Sequence, residues 1–133
     1  MKIWLKNPLS ILAENAEGGI LLEGTRIAEL VPSGKQPSAE YDSVFDAGSH
    51  VILPGLINLH HHFFQTLTRV YPQALNKKLF HWFKTLYPLW AGLTPEAVRM
   101  ATRLALAELL FSGCTTASDQ HYVFPAGLEK AID

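Results

Sequence analysis

Three consecutive histidines, His60, His61 and His62, directly follow a short apolar run that begins at Val51. Imidazole nitrogens bind zinc, iron and similar metals, and a metal held by neutral histidines lowers the pKa of its bound water toward about 7. Side chains alternate along a strand, so His60 and His62 are expected on one face and His61 on the other. The spacing therefore predicts a metal-binding pair, His60 and His62, unless the triplet is only a solvated loop end.

The apolar run before the histidines is expected to form the strand that positions them. Val51, Ile52 and Leu53, and then Leu56 and Ile57, are typical of an opening strand in a sheet covered on both faces. Pro54 interrupts the run and places it at an edge, a bulge or the strand start. Residues 1–50 read as short strands, including a hairpin that turns at Gly24. We therefore predict a small antiparallel β-unit ahead of the histidine strand.

Beyond the histidines the sequence predicts helices and a second strand. Aromatic and aliphatic residues recur at helical spacing over 79–90, where Trp82 is expected in packing, with a pocket wall as the alternative. Thr94-Pro95 is a strong helix start, and the helix should run to about Phe111, stop at Ser112-Gly113 and bury five residues. Those five are Val98, Ala101, Leu104, Ala105 and Leu109. A buried strand over 114–118 would then complete a parallel strand–helix–strand unit.

The carboxyl ends of parallel strands meet at one edge of a sheet, and in α/β barrels the working residues lie there. Asp119, Gln120 and His121 follow the second strand, so they are expected at the same edge as His60 and His62. His121 is therefore a weaker pocket candidate, with a structural, hydrogen-bonded histidine as the alternative.

Several segments together carry a resemblance to a known family. They are LPGLIN at 53–58, HHH at 60–62, FFQTLTR at 63–69 and LTPE at 93–96. The chain resembles the amino-terminal part of the amidohydrolase superfamily, in particular 8-oxoguanine deaminases and hydroxyatrazine-type aminohydrolases. It departs from the family at Gln120, where a histidine is usual. The implied fold is α/β: residues 1–50 belong to an incomplete composite β-sandwich domain, and residues 51–133 form the first two βα units of a (β/α)8 barrel.

The resemblance also implies a function. It is that of a metal-dependent hydrolytic deaminase of an amino-substituted, 8-oxoguanine-like heterocycle, with one divalent metal, zinc or alternatively iron, on His60 and His62. Gln65, whose amide carries a donor and an acceptor, would contact the substrate edge. A triazine or cyclic-amide hydrolase, or a non-catalytic domain, remains an alternative. The other ligands and the acid/base residue are expected outside this sequence, so residues 1–133 alone are expected to be an inactive, poorly behaved fragment.

Composition limits the partners and the location. Eleven basic and twelve acidic residues give a net charge of −1, without a basic block that could bind nucleic acid or an anionic membrane. Cys114 is the single cysteine, so no intrachain disulfide can form. The start of the chain lacks a secretion signal, and a cytoplasmic protein is expected. A homo-oligomer is compatible with the sequence, which does not fix the number of subunits.

Overall fold

The computed structural model describes residues 1–130, and the chain divides into two compact units. The first is Met1–Pro54 and the second begins at Gly55. Residues 131–133, which the sequence assigns to the second region, lie outside the described part. Within it, no helix is both long and apolar enough to cross a membrane.

The first unit contains six strands. They are β1 (Lys2–Lys6), β2 (Ser10–Ile11), β3 (Gly19–Glu23), β4 (Arg26–Val31), β5 (Ser43–Asp46) and β6 (Val51–Ile52). The larger sheet has the order β4-β3-β1-β5, and its core contains Trp4, Leu21 and Val31. The indole nitrogen of Trp4 donates to the carbonyl of Gly18 at 3.1 Å, so this buried ring has no unpaired polar atom.

The hairpin of β3 and β4 is confirmed, with Gly24 at φ +58 in its turn. The expected purely antiparallel arrangement is wrong, however, because β1 pairs with β5 in parallel and β2 pairs with β6 in parallel. The connection from β4 to β5 covers residues 32–42. It is long enough for β5 to run in the same direction as β1. A tight hairpin turn would have forced antiparallel pairing.

The apolar run expected to form one strand is divided into two. Val51 and Ile52 pair with the first unit, whereas β7 (Leu56–His61) belongs to the second. Pro54 has no N–H to donate to a ladder, which favours a break there. A Cβ atom at Gly55 would lie 2.0 Å from the side-chain oxygen of Thr115, so glycine permits the close approach at the start of β7.

In the second unit, β7 pairs in parallel with β8 (Cys114–Asp119), as expected. Between them lie a 3₁₀ helix at Phe63–Thr68, α1 (Leu79–Trp90) and α2 (Pro95–Phe111). Shorter 3₁₀ helices occupy Pro72–Ala74 and Leu128–Lys130. A shared core joins these elements; its buried members include Phe64, Leu86, Trp90 and Val98.

The expected bounds of α2 are confirmed at both ends. The side chain of Thr94 accepts a hydrogen bond from the backbone N–H of Ala97 at 3.2 Å, and Gly113 has φ +82 just beyond the helix. Ala101 and Ala105 are buried, but Leu104 is 48% exposed and not buried as expected. Leu104 lies about 100° around the helix from Ala105, outside the packed stripe.

Candidate active site

The histidines lie where the two parallel strands of the second unit end together. His61 is the last residue of β7 and pairs with Asp119, the last of β8. One residue further, the backbone N–H of Gln120 donates to the carbonyl of His61 at 2.8 Å. The carbonyl of Gln120 in turn accepts from Nδ1 of His62 at 2.7 Å. The pairing of the strands thus extends past their ends and fixes the histidine segment.

Asp119 adds a second connection at this edge. One of its carboxylate oxygens accepts from the backbone N–H of Phe63 at 2.9 Å, immediately after His62. The other lies 3.3 Å from Nδ1 of His121, whose Nε2 faces the carbonyl of Val123. His121 therefore has an acceptor near each ring nitrogen and is held beside the histidine segment. This agrees with the alternative interpretation of His121 as a structural, hydrogen-bonded histidine.

An open cavity of about 400 Å³ adjoins the histidine segment. The residues around it include His60, His61, His62, Gln65, Arg69 and Trp82. The expected metal pair, the expected substrate residue and the aromatic candidate thus border one space. This is a volume suited to a small heterocycle.

The rings of His60 and His62 are close enough to serve one metal ion. Their centroids are 5.1 Å apart and the rings are nearly perpendicular, at 85°. Two imidazoles on one tetrahedral zinc have centroids roughly 5 Å apart, given metal–nitrogen distances of about 2.0–2.1 Å. The separation of the two rings thus matches that of two imidazoles on one metal ion. No group of three or more His, Cys, Asp or Glu side chains suited to a metal occurs within residues 1–130.

His61 differs from its two neighbours, although it also borders the cavity. Its ring packs against Phe63 with a centroid distance of 4.9 Å. Its Nδ1 atom is buried and has no hydrogen-bond partner in the described part of the chain. His61 thus borders the same cavity as His60 and His62, but its ring packs on Phe63.

The side chain of Gln65 is held by a residue that the sequence did not single out. Its Nε2 atom donates to the hydroxyl of Tyr122 at 2.6 Å. Burial raises the pKa of Tyr122, and the hydrogen bond from Gln65 partly opposes that shift. Tyr122 lies two residues beyond Gln120 on the segment that leaves β8, and no local pattern in the sequence indicates its contact with Gln65.

Arg69 and Trp82 form another part of the cavity border. The guanidinium of Arg69 makes two hydrogen bonds to the carboxylate of Glu108, at 2.9 and 2.7 Å. This contact lowers the pKa of Glu108, chiefly through the hydrogen bond itself. Trp82 is half-buried, and its ring packs edge-on against that of Trp90 with centroids 5.4 Å apart. It therefore packs against the core and also borders the cavity.

Two parallel strands that end at a histidine segment beside a small cavity place the second unit in the α/β class. The chain belongs to the amidohydrolase family, whose model matches residues 51–133. The family resemblance expected from the sequence is thereby confirmed, as is an α/β fold. The complete barrel and sandwich remain predictions.

The chain is similar to two deaminases of known name. It is 57% identical to an 8-oxoguanine deaminase of Pseudomonas aeruginosa, over 99% of this chain and 30% of that protein. It is 40% identical to a 5-methylthioadenosine/S-adenosylhomocysteine deaminase of Syntrophomonas wolfei, over 80% of this chain and 24% of the relative. The chain thus spans less than a third of the length of either relative.

Solved structures give the same fold. A triazine hydrolase from Arthrobacter aurescens superimposes with a TM-score of 0.80 at 25% identity, covering 98% of this chain and 32% of the other. A mutant atrazine chlorohydrolase from the same species, in complex with zinc and atraton, gives a TM-score of 0.77 at 25% identity, covering 98% of this chain and 31% of the other.

Proposed function

We propose that this chain carries the first metal-binding pair and part of the substrate pocket of a hydrolytic deaminase for an amino-substituted, 8-oxoguanine-like heterocycle. The observation that carries the proposal is the single cavity shared by His60, His62 and Gln65. The 57% identity to an 8-oxoguanine deaminase supports this substrate class.

The two histidines would contribute neutral imidazole ligands. Nδ1 of His62 is engaged by the carbonyl of Gln120, which leaves Nε2 as the free ligand atom. An imidazole pair suits zinc, with iron as the alternative. When bound, such a metal supplies a water activated for attack near neutral pH. His60 would provide the second imidazole from the end of β7.

The remaining residues would bind and orient the heterocycle. Gln65 would hydrogen-bond its edge, and Trp82 would offer an aromatic surface beside the ring. In the net reaction, a water oxygen forms a bond to the ring carbon, the bond from that carbon to the exocyclic nitrogen breaks, and ammonia leaves. The leaving amine must also receive a proton. We do not assign this proton transfer to any residue within 1–130.

A triazine or cyclic-amide hydrolase is the second candidate. The structural neighbours favour it, since they are triazine hydrolases and one was solved with zinc and atraton. The same histidine pair would serve this chemistry. The leaving group and the substrate ring would then differ, while the two histidine ligands would be the same.

The test is a comparison of substrates with protein expressed from its complete coding sequence and loaded with zinc. Ammonia release would be measured with 8-oxoguanine, guanine, 5-methylthioadenosine and atraton, with methanol release from atraton followed in parallel. We expect kcat/KM to be highest for 8-oxoguanine and near one tightly bound metal per chain. Turnover of atraton alone would favour the second candidate, and absence of tight metal together with absence of turnover would overturn both.

A further inference from the structure

The hydroxyl of Thr68 makes two hydrogen bonds whose directions follow from the chemistry of its partners. Its oxygen lies 3.1 Å from the indole nitrogen of Trp90 and 3.2 Å from the backbone carbonyl oxygen of Gln65. An indole N–H only donates, and a carbonyl oxygen only accepts. The hydroxyl therefore accepts from Trp90 and donates its one hydrogen to Gln65.

The indole of Trp90 is a fixed donor. Trp90 is 1% exposed, and its ring packs edge-on against those of Phe64, Trp82 and Tyr87, with centroid distances of 5.2, 5.4 and 5.4 Å. A buried indole N–H is normally paired, and within residues 1–130 its partner is Thr68. The core thus holds the Thr68 hydroxyl in one place.

The backbone of Gln65 is held on both sides. Its N–H donates to the carbonyl of His62 at 3.0 Å, and its carbonyl accepts from Thr68. Hydrogen bonds therefore run from the buried Trp90, through Thr68 and the backbone of Gln65, to a member of the expected metal pair. His62, Gln65 and Thr68 all border the cavity. These bonds fix the root of the Gln65 side chain relative to the histidines, whichever way its amide is turned.

We propose that Thr68 is a positioning residue for substrate binding: its hydroxyl, oriented by Trp90, holds the backbone of Gln65 at a set distance from the His60–His62 pair. The amide of Gln65 then reaches the edge of a heterocycle whose reacting carbon lies at the metal. This inference rests on the proposed function and adds to it a residue that acts through Gln65.

The test is Thr68→Val, which keeps the shape of the side chain and deletes the hydroxyl. In protein expressed from its complete coding sequence, we expect kcat/KM for 8-oxoguanine to fall roughly tenfold, through KM, as for the loss of about one hydrogen bond. Metal content should not change. Titration of the zinc-free protein with 8-oxoguanine should show a Kd raised by a similar factor. Thr68→Ser retains the hydroxyl and should restore both values.

Two comparisons separate positioning from general support of the fold. In a Gln65→Ala background, Thr68→Val should have no further effect on KM or Kd, because the two residues act as one unit. Thr85→Val is the matched control. The Thr85 hydroxyl likewise accepts from a nitrogen, Nζ of Lys77 at 3.0 Å, and donates to a backbone carbonyl, that of His81 at 2.9 Å. Thr85 is not among the residues that line the cavity, so its variant should leave both quantities unchanged.

The outcomes distinguish the inference from the function beneath it. Turnover of 8-oxoguanine by the wild type, with additive effects of Thr68→Val and Gln65→Ala, would overturn the inference and leave the proposed function standing. Absence of both turnover and binding in the wild type would overturn both. If Thr68→Val does not give folded protein, Thr68→Cys replaces it, because a thiol is only a weak donor and acceptor. It should show the same loss coupled to Gln65, and full activity of that variant would contradict the inference.

Discussion

Nδ1 of His62 donates a hydrogen bond to the backbone carbonyl of Gln120 at 2.7 Å. A carbonyl oxygen only accepts, so Nδ1 carries the hydrogen and the neutral ring keeps its lone pair on Nε2. Backbone carbonyls commonly hold metal-binding histidines in this way. A residue just beyond the end of β8 thus sets the tautomer of a ligand candidate just beyond the end of β7.

The three histidines are expected to differ in their importance for metal binding. His60→Ala and His62→Ala should each remove tightly bound metal from protein expressed from its complete coding sequence, because each deletes one ligand. His61→Ala is the matched control and should retain metal, since its ring packs on Phe63. Metal content after dialysis, measured by elemental analysis, checks this. Metal loss in the His61 variant alone would contradict the assignment.

Gln65 is expected to affect substrate and not metal. Gln65→Ala removes an amide that borders the cavity, and an uncharged amide is a poor zinc ligand. We expect kcat/KM for 8-oxoguanine to fall roughly ten- to a hundredfold, in line with the loss of one or two polar contacts. Steady-state kinetics and elemental analysis on the same preparation measure both quantities. Loss of metal from the Gln65 variant would contradict the prediction that Gln65 affects substrate binding alone.

Local patterns in the sequence predicted much of the second unit. Thr94-Pro95 and Ser112-Gly113 mark the two ends of α2, because capping and backbone preference act within a few residues. The parallel pairing of β7 with β8 followed from the helical connection between them. The position of the histidines at the common strand edge could therefore be predicted as well.

Features that depend on contacts distant in sequence could not be predicted in the same way. The parallel pairing of β1 with β5 depends on the path of a connection that has no periodic signal. Tyr122 contacts Gln65 across 57 residues, and nothing near either residue indicates the other. The position of Leu104 in the helical pattern of α2 predicts burial, but its side chain lies outside the packed face and is exposed.

Asp119 is expected to stabilise the histidine segment and to influence metal affinity. Asp119→Ala leaves the N–H of Phe63 and the ring of His121 without their carboxylate partner. We expect a loss of about 1–3 kcal/mol in stability and a roughly ten- to hundredfold weaker metal affinity. Chemical denaturation and competition with a chelator measure the two effects. As a control, Asp46→Ala removes a carboxylate that caps an exposed turn at Gly48 and should leave metal affinity unchanged.

The ion pair of Arg69 with Glu108 should give a pH-dependent contribution to stability. Arg69 lowers the pKa of Glu108 in the folded state, so the contribution is present above the ordinary pKa of the carboxyl and is lost as pH falls through the lower folded value. The difference in Tm between wild type and Glu108→Gln should thus be largest near neutral pH and vanish in acid. It should be small and reduced by salt, because the pair is exposed.

The control for this pair is Glu40→Gln, which changes an exposed carboxylate that has no ion pair among residues 1–130. Its Tm difference from wild type should stay flat over the same pH range. A difference for Glu108→Gln that grows as pH falls would contradict the pairing.

Residues 1–133 produced alone are expected to associate in solution and to hold zinc weakly. Leu56, Ile57 and Leu59 on β7 are each more than half exposed, and apolar strand surfaces of this kind promote association. Two imidazoles are fewer than the three or more protein ligands usual for a catalytic zinc, so we expect dissociation constants in the micromolar range or weaker. Light scattering and zinc titration measure the two properties. Ile57→Lys should reduce association without changing zinc affinity. A monodisperse monomer that binds zinc tightly and releases ammonia from 8-oxoguanine would show that these residues complete a site by themselves.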